Sequence, residues 1–334
     1  MNQPAYLLIG YYGFGNVGDD VLFIQTLRIL QSVFSTQNPR FYCHEFRHPI
    51  DIPNRPALSF YLRGSILQLV KTIRSAEGVI FGGGSLFQTR SSTRSLFYYL
   101  GVILLSVLFR KPCILMGQGI GPFKYKWHLR LLKWGLGFAR HLSFRDPDSR
   151  GQSDQWGQHS VRGDLSFWNM AQASLPTDTP SVVGINAIQN YSKWIPKSFS
   201  KTIRNTQYIV CHPSQDCASK EALVLAPHDF LSPTPSARFS WMVSMRYHGC
   251  IWAAQHLIPF VAIAIDPKIK ALAHQLGQIV IDYPACFSEK TWADIAQLMH
   301  QERANFQELL VKNTSDLIQD SRLFPHDVQQ ALRL

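Results

Sequence analysis

The sequence lacks the features that mark disulfide-bonded, zinc-binding, secreted or membrane-spanning proteins. Its six cysteines are scattered without a CxxC pair, so buried, reduced thiols are expected: Cys43, Cys113, Cys211, Cys217, Cys250 and Cys286. The N-terminus does not show the basic-then-apolar pattern of a secretory signal. The longest nearly uncharged run, Ser95 to Phe109, has fifteen residues, fewer than the roughly 20 that span a bilayer. We therefore expect a soluble cytoplasmic protein in which this run forms a buried helix.

Acidic residues are scarce relative to basic ones. The chain has 33 Lys and Arg against 22 Asp and Glu, which gives a formal charge of +11. Such an excess favours an anionic partner, which is a nucleic acid, an anionic membrane surface or a phosphorylated substrate. Nucleic acid is the least favoured of the three, because the basic residues are dispersed and no recognition motif is present.

The length and the composition predict two globular domains. A chain of 334 residues exceeds the size at which single cores usually stop growing, and 46% of its residues are hydrophobic. The segment Pro176 to Pro180 has the composition of a hinge. We predict an N-terminal domain over residues 1–175, a C-terminal domain over 181–310 and a helical tail over 311–334. No internal repeat or low-complexity tract is visible.

The most informative stretch is Ser244-Met245-Arg246-Tyr247-His248-Gly249. It lies between the apolar run Phe239 to Val243 and a helical pattern, Cys250 to His256, and a second apolar run, Phe260 to Ile265, follows. This pattern predicts a strand–helix–strand unit. Arg246 and His248 then lie where a strand ends and a helix begins, which is where open α/β sheets bind ligands.

Arg246 and His248 together suit the binding and protonation of an anion. A guanidinium binds carboxylate or phosphate through two hydrogen bonds, and an imidazole can transfer a proton near neutral pH. The alternative is a surface arginine beside a histidine that caps the core. These two residues alone leave both interpretations open.

A glycine-rich turn follows the first predicted strand, Tyr6 to Tyr11. Glycines at positions 13, 15 and 18 permit a tight turn, Asp19 is a candidate helix cap, and a helix is predicted from Val21 to Phe34. Such a turn can bind an anion through backbone N–H groups. The carboxylates of Asp19 and Asp20 would repel a phosphate, so a sugar hydroxyl or a purely structural turn is the better interpretation.

Further glycine-rich or charged loops follow predicted strands in both halves of the chain. Because parallel strands end at the same edge of a sheet, these loops predict a ligand crevice there. The two α/β halves together predict two Rossmann-like domains that face each other across a cleft. The loops are Gly82-Gly83-Gly84-Ser85-Leu86-Phe87-Gln88, Gly117-Gln118-Gly119-Ile120-Gly121-Pro122, Arg145-Asp146, His212-Pro213-Ser214-Gln215-Asp216 and Asp266-Pro267-Lys268.

In their order along the chain, these motifs resemble those of the polysaccharide pyruvyl transferase family, and its CsaB-like branch in particular. The resemblance extends from about Tyr6 to Gly277. It is carried by the five loops above, the turn Gly13 to Asp20 and the Arg246-Tyr247-His248 segment, because no single motif would be specific.

The resemblance implies a GT-B-like fold and a defined reaction. The family transfers the enolpyruvyl group of phosphoenolpyruvate to a sugar of a cell-wall or exopolysaccharide precursor, which forms a pyruvate ketal. Arg246 and His248 match its Arg-x-His site, and Arg145 matches an arginine site. Lys268 matches a basic position. The implied co-substrate is phosphoenolpyruvate, and the chemistry requires neither a metal nor another cofactor.

The residues themselves agree with this chemistry. Phosphoenolpyruvate carries roughly three negative charges, for which Arg145, Arg246 and Lys268 are the candidate cations. His248 is the candidate general acid and, with Arg246, forms the predicted catalytic pair. The candidate acceptor-binding residues, each with turn stabilisation as the alternative, are Asn16, Asp19, Gln88, His212 and Asp216.

Two other functions remain open. A GT-B glycosyltransferase that uses a nucleotide sugar would share the architecture but release a nucleotide. An inactive relative would bind a glycan precursor without consuming phosphoenolpyruvate. The acceptor is expected to be a nucleotide- or lipid-linked sugar. With a lipid-linked acceptor, the basic charge predicts peripheral contact with the anionic inner face of the plasma membrane.

Overall fold

The computed structural model describes most of the chain and divides it into two compact units. The described residues are 3–35, 37–53, 56–89, 92–152, 159–170, 180–194, 199, 203, 205–235, 238–283 and 288–333. Residues 176–179 of the predicted hinge, and Cys286, lie outside them; the other five cysteines are free. Unit 1 comprises Met1–Phe14, Asp19–Asn169 and Leu317–Leu334, and unit 2 comprises Gly15–Gly18 and Met170–Asp316.

Unit 1 is built on a sheet of seven parallel strands in the order β3-β2-β1-β4-β5-β6-β7. Helices follow β1, β3, β4, β5 and β6 along the chain, and the last helix of the chain packs against β5 and β6. The strands are β1 (Ala5–Ile9), β2 (Arg40–His44), β3 (Leu58–Tyr61), β4 (Gly78–Phe87), β5 (Cys113–Ile120), β6 (His141–Phe144) and β7 (Ser160–Val161). The helices are α1 (Val17–Val33), α2 (Ile66–Ser75), α3 (Thr93–Leu108), α4 (Lys126–Leu136) and α5 (Pro147–Gly151).

Unit 2 contains a second parallel sheet, in the order β10-β9-β8-β11-β12-β13. Its strands are β8 (Val183–Asn186), β9 (Thr206–Val210), β10 (Leu223–Val224), β11 (Trp241–Ser244), β12 (Phe260–Ala264) and β13 (Ile279–Asp282). Its helices are α6 (Pro227–Leu231), α7 (Tyr247–Gln255), α8 (Pro267–Gln275), α9 (Glu289–Gln301) and α10 (Arg303–Ser321), which ends in unit 1; α11 (Phe324–Leu332) belongs to unit 1.

The two sheets share one topology, in which the first strand of each lies in the middle. In unit 1 the chain moves from β1 to one side and then returns to add β4 on the other side. In unit 2 it does the same around β8. This is the doubly wound arrangement of Rossmann-like folds. The predicted α/β class with two Rossmann-like domains is therefore confirmed. The inner strands β1, β4, β8, β11 and β12 are buried along most of their length, as expected where helices cover both faces of a sheet.

Two glycine motifs lie inside strands, whereas the sequence pattern predicts that they follow them. Gly83 and Gly84 belong to β4, with φ of 78° and 88°, and Gly117 belongs to β5, with φ of 53°. The pairing of both strands shifts register at these glycines. Glycine within a strand commonly marks such a bulge. The apolar runs therefore continue beyond their glycines, and the predicted strand ends come too early.

Three predictions about helices are wrong in detail. Helix α1 begins at Val17, so Asp19 lies in its first turn rather than at its cap. The helix predicted within Ser95 to Phe109 is α3, but only one of its faces is buried: Leu96 and Ile103 are fully buried, whereas Leu108 is 70% exposed. The sequence of Pro227 to Pro235 is typical of a loop, but Pro227 begins the short helix α6. Among the described residues, no helix has both the length and the apolarity that crossing a membrane requires.

Candidate functional site

The candidate site in unit 2 lies where the strand order reverses, between β8 and β11. Arg246 is the N-cap residue of α7, with φ of −110° and ψ of 136°, and His248 lies in the first turn of that helix. Both residues lie at the strand-to-helix junction that the sequence predicts. Ligands of open α/β sheets bind at such reversal points, beyond the carboxyl ends of the strands.

Asp216 is the centre of a buried polar network at this point. One carboxylate oxygen, Oδ1, accepts a hydrogen bond from Nε of Arg246 at 2.8 Å and lies 2.6 Å from its Nη2. The other, Oδ2, accepts from the backbone N–H groups of Cys211 and His212 at 2.8 and 3.0 Å, and from Nδ2 of Asn186 at 3.2 Å. The Asp216 side chain is fully buried, and that of Arg246 is 20% exposed.

Arg246 is held in place by further contacts. Its Nη2 donates to Oε1 of Gln215 at 3.0 Å, and its backbone N–H donates to Oγ of Ser244 at 3.2 Å. Oγ of Ser244 lies 3.2 Å from Oδ1 of Asn186. The guanidinium is therefore oriented before any ligand binds. These contacts indicate that Asp216 positions Arg246, although the sequence pattern places Asp216 among the acceptor-binding candidates.

His248 lies directly against the glycine-rich N-terminal turn. A Cβ atom built on Gly18 would be 2.0 Å from Nδ1 of His248, so no side chain larger than hydrogen fits at position 18. The backbone N–H of Val17 donates to the carbonyl of Cys211 at 3.2 Å. The segment Gly15–Gly18, which includes the predicted acceptor residue Asn16, therefore belongs to unit 2 together with His248.

Lys268 extends the cationic character of this edge of the sheet. It lies in the first turn of α8, where its backbone N–H donates to Oδ1 of Asp266 at 3.2 Å. Its Nζ is 5.8 Å from the centre of the Tyr247 ring, within range of a cation–π interaction. Lys268 therefore lies beside the start of α7, where Arg246 also lies. His212, half-buried after β9, has its Nδ1 3.2 Å from Oγ of Ser214.

Arg145 belongs to unit 1, where its guanidinium is buried. Its side chain is 3% exposed. Nε donates to Oδ2 of Asp146 at 3.0 Å, and Nη1 donates to Oγ of Ser85 at 3.2 Å. A Cβ on Gly119 would be 2.6 Å from Nη2, so the glycine is needed for this close approach. Asp146 also caps α5 by accepting from the N–H of Ser149 at 2.7 Å.

The other candidates in unit 1 lie around the reversal point between β1 and β4. Asp19 is in the first turn of α1, and its Oδ1 would be 3.7 Å from a Cβ on Gly84 of β4. Gln88 directly follows β4. Oδ1 of Asp20 accepts a hydrogen bond from the N–H of Gly13 at 2.8 Å. Burial nevertheless raises the pKa of Asp20 to about 6, since this bond and nearby His48 offset only part of the desolvation.

The network contains residues that the sequence pattern does not single out. Asn186 and Ser244 are the last residues of β8 and β11, and both are fully buried. The sequence feature that could have identified Asn186 and Ser244 is a polar residue at the end of an otherwise apolar strand. Gln215 gave no signal beyond its place in the His212 to Asp216 motif.

Solved structures that are similar to this chain include GT-B glycosyltransferases and epimerases. The chain is similar to Anabaena HepE in complex with UDP and glucose (TM-score 0.58, 11% identity, 99% of this chain and 100% of that chain). It is also similar to a putative UDP-N-acetylglucosamine 2-epimerase from Listeria monocytogenes (TM-score 0.62, 9% identity, 99% and 96%). The calicheamicin glycosyltransferase CalG4 has a TM-score of 0.52 at 10% identity, with 100% and 99% covered. The chain therefore has a GT-B-like fold.

Sequence comparison defines the family more narrowly. The model of the family described as polysaccharide pyruvyl transferase matches residues 16–206. A search of curated proteins gives no significant match. The chain belongs to the polysaccharide pyruvyl transferase family, a family of transferases that act on polysaccharide. The match ends before Arg246. The interpretation of Arg246 and His248 as site residues therefore depends on their sequence motif and on their geometry in the structure.

Replacing Asp216 with asparagine should destabilise unit 2. An amide cannot accept from all the donors that surround this carboxylate, and Arg246 would lose its counter-charge. Breaking such a buried pair typically costs about 3 to 5 kcal/mol. The matched control is Asp282→Asn, because Asp282 pairs with Lys270 at 2.8 Å on the surface, where it is 67% exposed; there we expect less than about 1 kcal/mol. Urea unfolding would measure both, and equal effects would contradict the assigned role of Asp216.

Replacing Asp20 with asparagine should change how stability depends on pH. Because the folded pKa of about 6 exceeds the usual 3.8, the stability associated with protonated Asp20 is lost as pH rises from about 4 to 6. Asp20→Asn should therefore unfold at higher urea than the parent at pH 7, by about 2 kcal/mol, and match it near pH 4. The exposed Asp51→Asn should follow the parent throughout. An Asp20→Asn curve parallel to the parent's would contradict the raised pKa.

Proposed function

We propose that this protein transfers the enolpyruvyl group of phosphoenolpyruvate to a sugar of a cell-wall or exopolysaccharide precursor, forms a pyruvate ketal and releases phosphate. Family membership supports a transferase that acts on polysaccharide. The observation that carries the finer proposal is in unit 2. There Arg246, oriented by Asp216, lies at the reversal point of the sheet with His248 two residues later and Lys268 beside Tyr247.

The cations of unit 2 suit the charge of the proposed substrate. Arg246 offers a guanidinium that is already oriented, and Lys268 adds a second positive charge near the first turn of α7. The backbone N–H groups at the N-termini of α7 and α8 face the same edge of the sheet and favour anions. Arg145 is assigned to the same substrate by the family resemblance alone, because its guanidinium is buried against Asp146 and Ser85.

His248 is proposed to deliver the proton that starts the reaction. Its imidazole donates a proton to C3 of phosphoenolpyruvate while a sugar hydroxyl adds to C2. A second hydroxyl then attacks C2 and the C2–O bond to phosphate breaks, which closes the ketal. The two hydroxyls lose two protons in total. One replaces the proton that His248 gave to C3, and the other leaves on the phosphate, so atoms and charge balance.

The candidate acceptor-binding residues are Asn16 and His212 in unit 2 and Asp19 and Gln88 in unit 1; their amides, imidazole and carboxylate suit sugar hydroxyls. Asp216 acts on the reaction through Arg246. The acceptor sugar is nucleotide- or lipid-linked, the proposed location is the cytoplasm, and the reaction as written needs no metal or organic cofactor.

The direct test is incubation of the protein with phosphoenolpyruvate and a panel of glycan precursors. We expect phosphate release that depends on the acceptor, and a product whose mass has increased by one pyruvate ketal. Release of a nucleotide from a nucleotide sugar, with phosphoenolpyruvate unchanged, would instead identify a glycosyltransferase. Binding of a precursor without turnover of either donor would identify an inactive relative.

Replacing His248 with alanine should lower turnover by about 10²- to 10⁴-fold, the usual contribution of a general acid. The control is His228→Ala, because the His228 side chain in the same unit is 79% exposed; its turnover should equal that of the parent. Circular dichroism should show that both variants keep the fold. Near-normal turnover by folded His248→Ala would refute its assignment as the general acid.

A further inference from the structure

The excess positive charge of the chain is concentrated in one segment. No aspartate or glutamate occurs between Glu77 and Asp146. The same segment contains ten basic residues, so its formal charge is +10, nearly the whole net charge of +11 that the chain carries. These residues are Arg90, Arg94, Arg110, Lys111, Lys124, Lys126, Arg130, Lys133, Arg140 and Arg145. The segment contains α3 and α4, which pack against each other in unit 1.

Large apolar side chains are exposed on the outer surface of these two helices. Leu100 packs so closely against α4 that a Cβ on Gly135 would be 2.4 Å from it, and the Phe97 and Trp127 rings are 6.3 Å apart. Positions 97, 104 and 108 form one stripe along α3, and 127, 134 and 138 continue along and beyond α4. We call these six residues the aromatic face: Phe97 (49% exposed), Leu104 (37%), Leu108 (70%), Trp127 (48%), Trp134 (55%) and Phe138 (42%).

Exposed basic residues lie close in sequence to residues of the aromatic face. Arg94, Lys124, Lys126 and Arg130 are all exposed. Lysine and arginine can place their charge in water while their aliphatic stems cover an apolar surface. The combination of exposed tryptophan and basic residues with no acidic neighbour in sequence is typical of surfaces that lie in the interface of an anionic bilayer.

A basic cavity adjoins this face at the ends of α3 and α4. It has a volume of about 470 Å³, and its lining includes Arg110, Lys111, Arg140 and Arg333 together with Val107 of α3 and Phe138. No acidic residue is among the described residues that line it. Four cations around one cavity suit a phosphate group, and the neighbouring aromatic face suits acyl chains.

We propose that the aromatic face docks on an anionic membrane, with a lipid phosphate in the adjoining basic cavity. A second copy of the chain is a poorer occupant, because a twofold interface would bring the same basic surface against itself. Nucleic acid would meet the charge but leave the aliphatic Leu104 and Leu108 without an apolar partner. An anionic bilayer satisfies both the charge and the apolar surface.

The test is co-sedimentation of the full chain with vesicles. Phosphatidylcholine vesicles with phosphatidylglycerol should bind the protein at low salt, and phosphatidylcholine alone should not. Lys126→Gln/Arg130→Gln should weaken binding about 25-fold, since each basic residue near such a surface contributes about fivefold. Trp134→Ser should weaken it about tenfold through lost apolar burial. These measurements need no enzymatic turnover. Their outcome therefore tests membrane binding separately from the proposed reaction.

Matched controls separate this surface from net charge alone. Lys290→Gln/Lys312→Gln removes two exposed charges from unit 2, and Leu298→Ser removes an apolar side chain that is 42% exposed there; both should bind within about twofold of the parent. The proposal is overturned if the parent does not bind anionic vesicles or if the controls weaken binding equally. It is also overturned if folded face variants bind normally, or if they alter self-association or duplex DNA binding instead.

Discussion

The buried carboxylate of Asp216 is the constraint on which the geometry of unit 2 depends. It contacts Asn186 at the end of β8, the backbone just after β9, and Arg246 just after β11. A single charged group therefore joins the carboxyl ends of three strands. Burial of an isolated carboxylate would cost several kcal/mol, so each of its donors has to be present. The guanidinium of Arg246 is held in place because the buried carboxylate of Asp216 needs a positive charge and a hydrogen-bond donor beside it.

The same arrangement explains why Arg246 differs from an ordinary surface arginine. A flexible arginine loses rotamer entropy when it binds a ligand, whereas Arg246 is already fixed by Asp216 and Gln215. Its side chain remains 20% exposed, and Lys268 lies beside the first turn of α7, which follows Arg246. Arg246 is not an exposed surface arginine, because a buried carboxylate pairs with it and only 20% of its side chain is exposed; the packing of His248 against Gly18 is compatible with either a catalytic or a structural histidine.

Local pattern was sufficient to predict much of the fold. The strand-to-helix junction at Arg246 follows from apolar runs bounded by a polar turn, and these runs are continuous because both faces of the sheet are covered. Strand β3 escaped prediction because only Tyr61 among its four residues is buried. The contact between Asp216 and Arg246 joins residues thirty positions apart in sequence. A pattern of apolar residues along the chain cannot predict such a contact, because Asp216 and Arg246 come together only when the sheet has formed.

The fold by itself does not define the reaction. Solved structures with the same fold and about 10% identity to this chain are named as a glycosyltransferase and as a putative epimerase, which are different activities. Net charge does not define it either. Arg246 and Arg145, the two arginines of the predicted site, each pair with an aspartate, Asp216 and Asp146. These pairs contribute nothing to the excess of +11. Apart from Arg145, the acid-free segment that contains α3 and α4 holds nine basic residues, which account for most of the excess. A basic isoelectric point here therefore reports on a surface of unit 1, and the substrate has to be inferred from the geometry around Arg246 and His248.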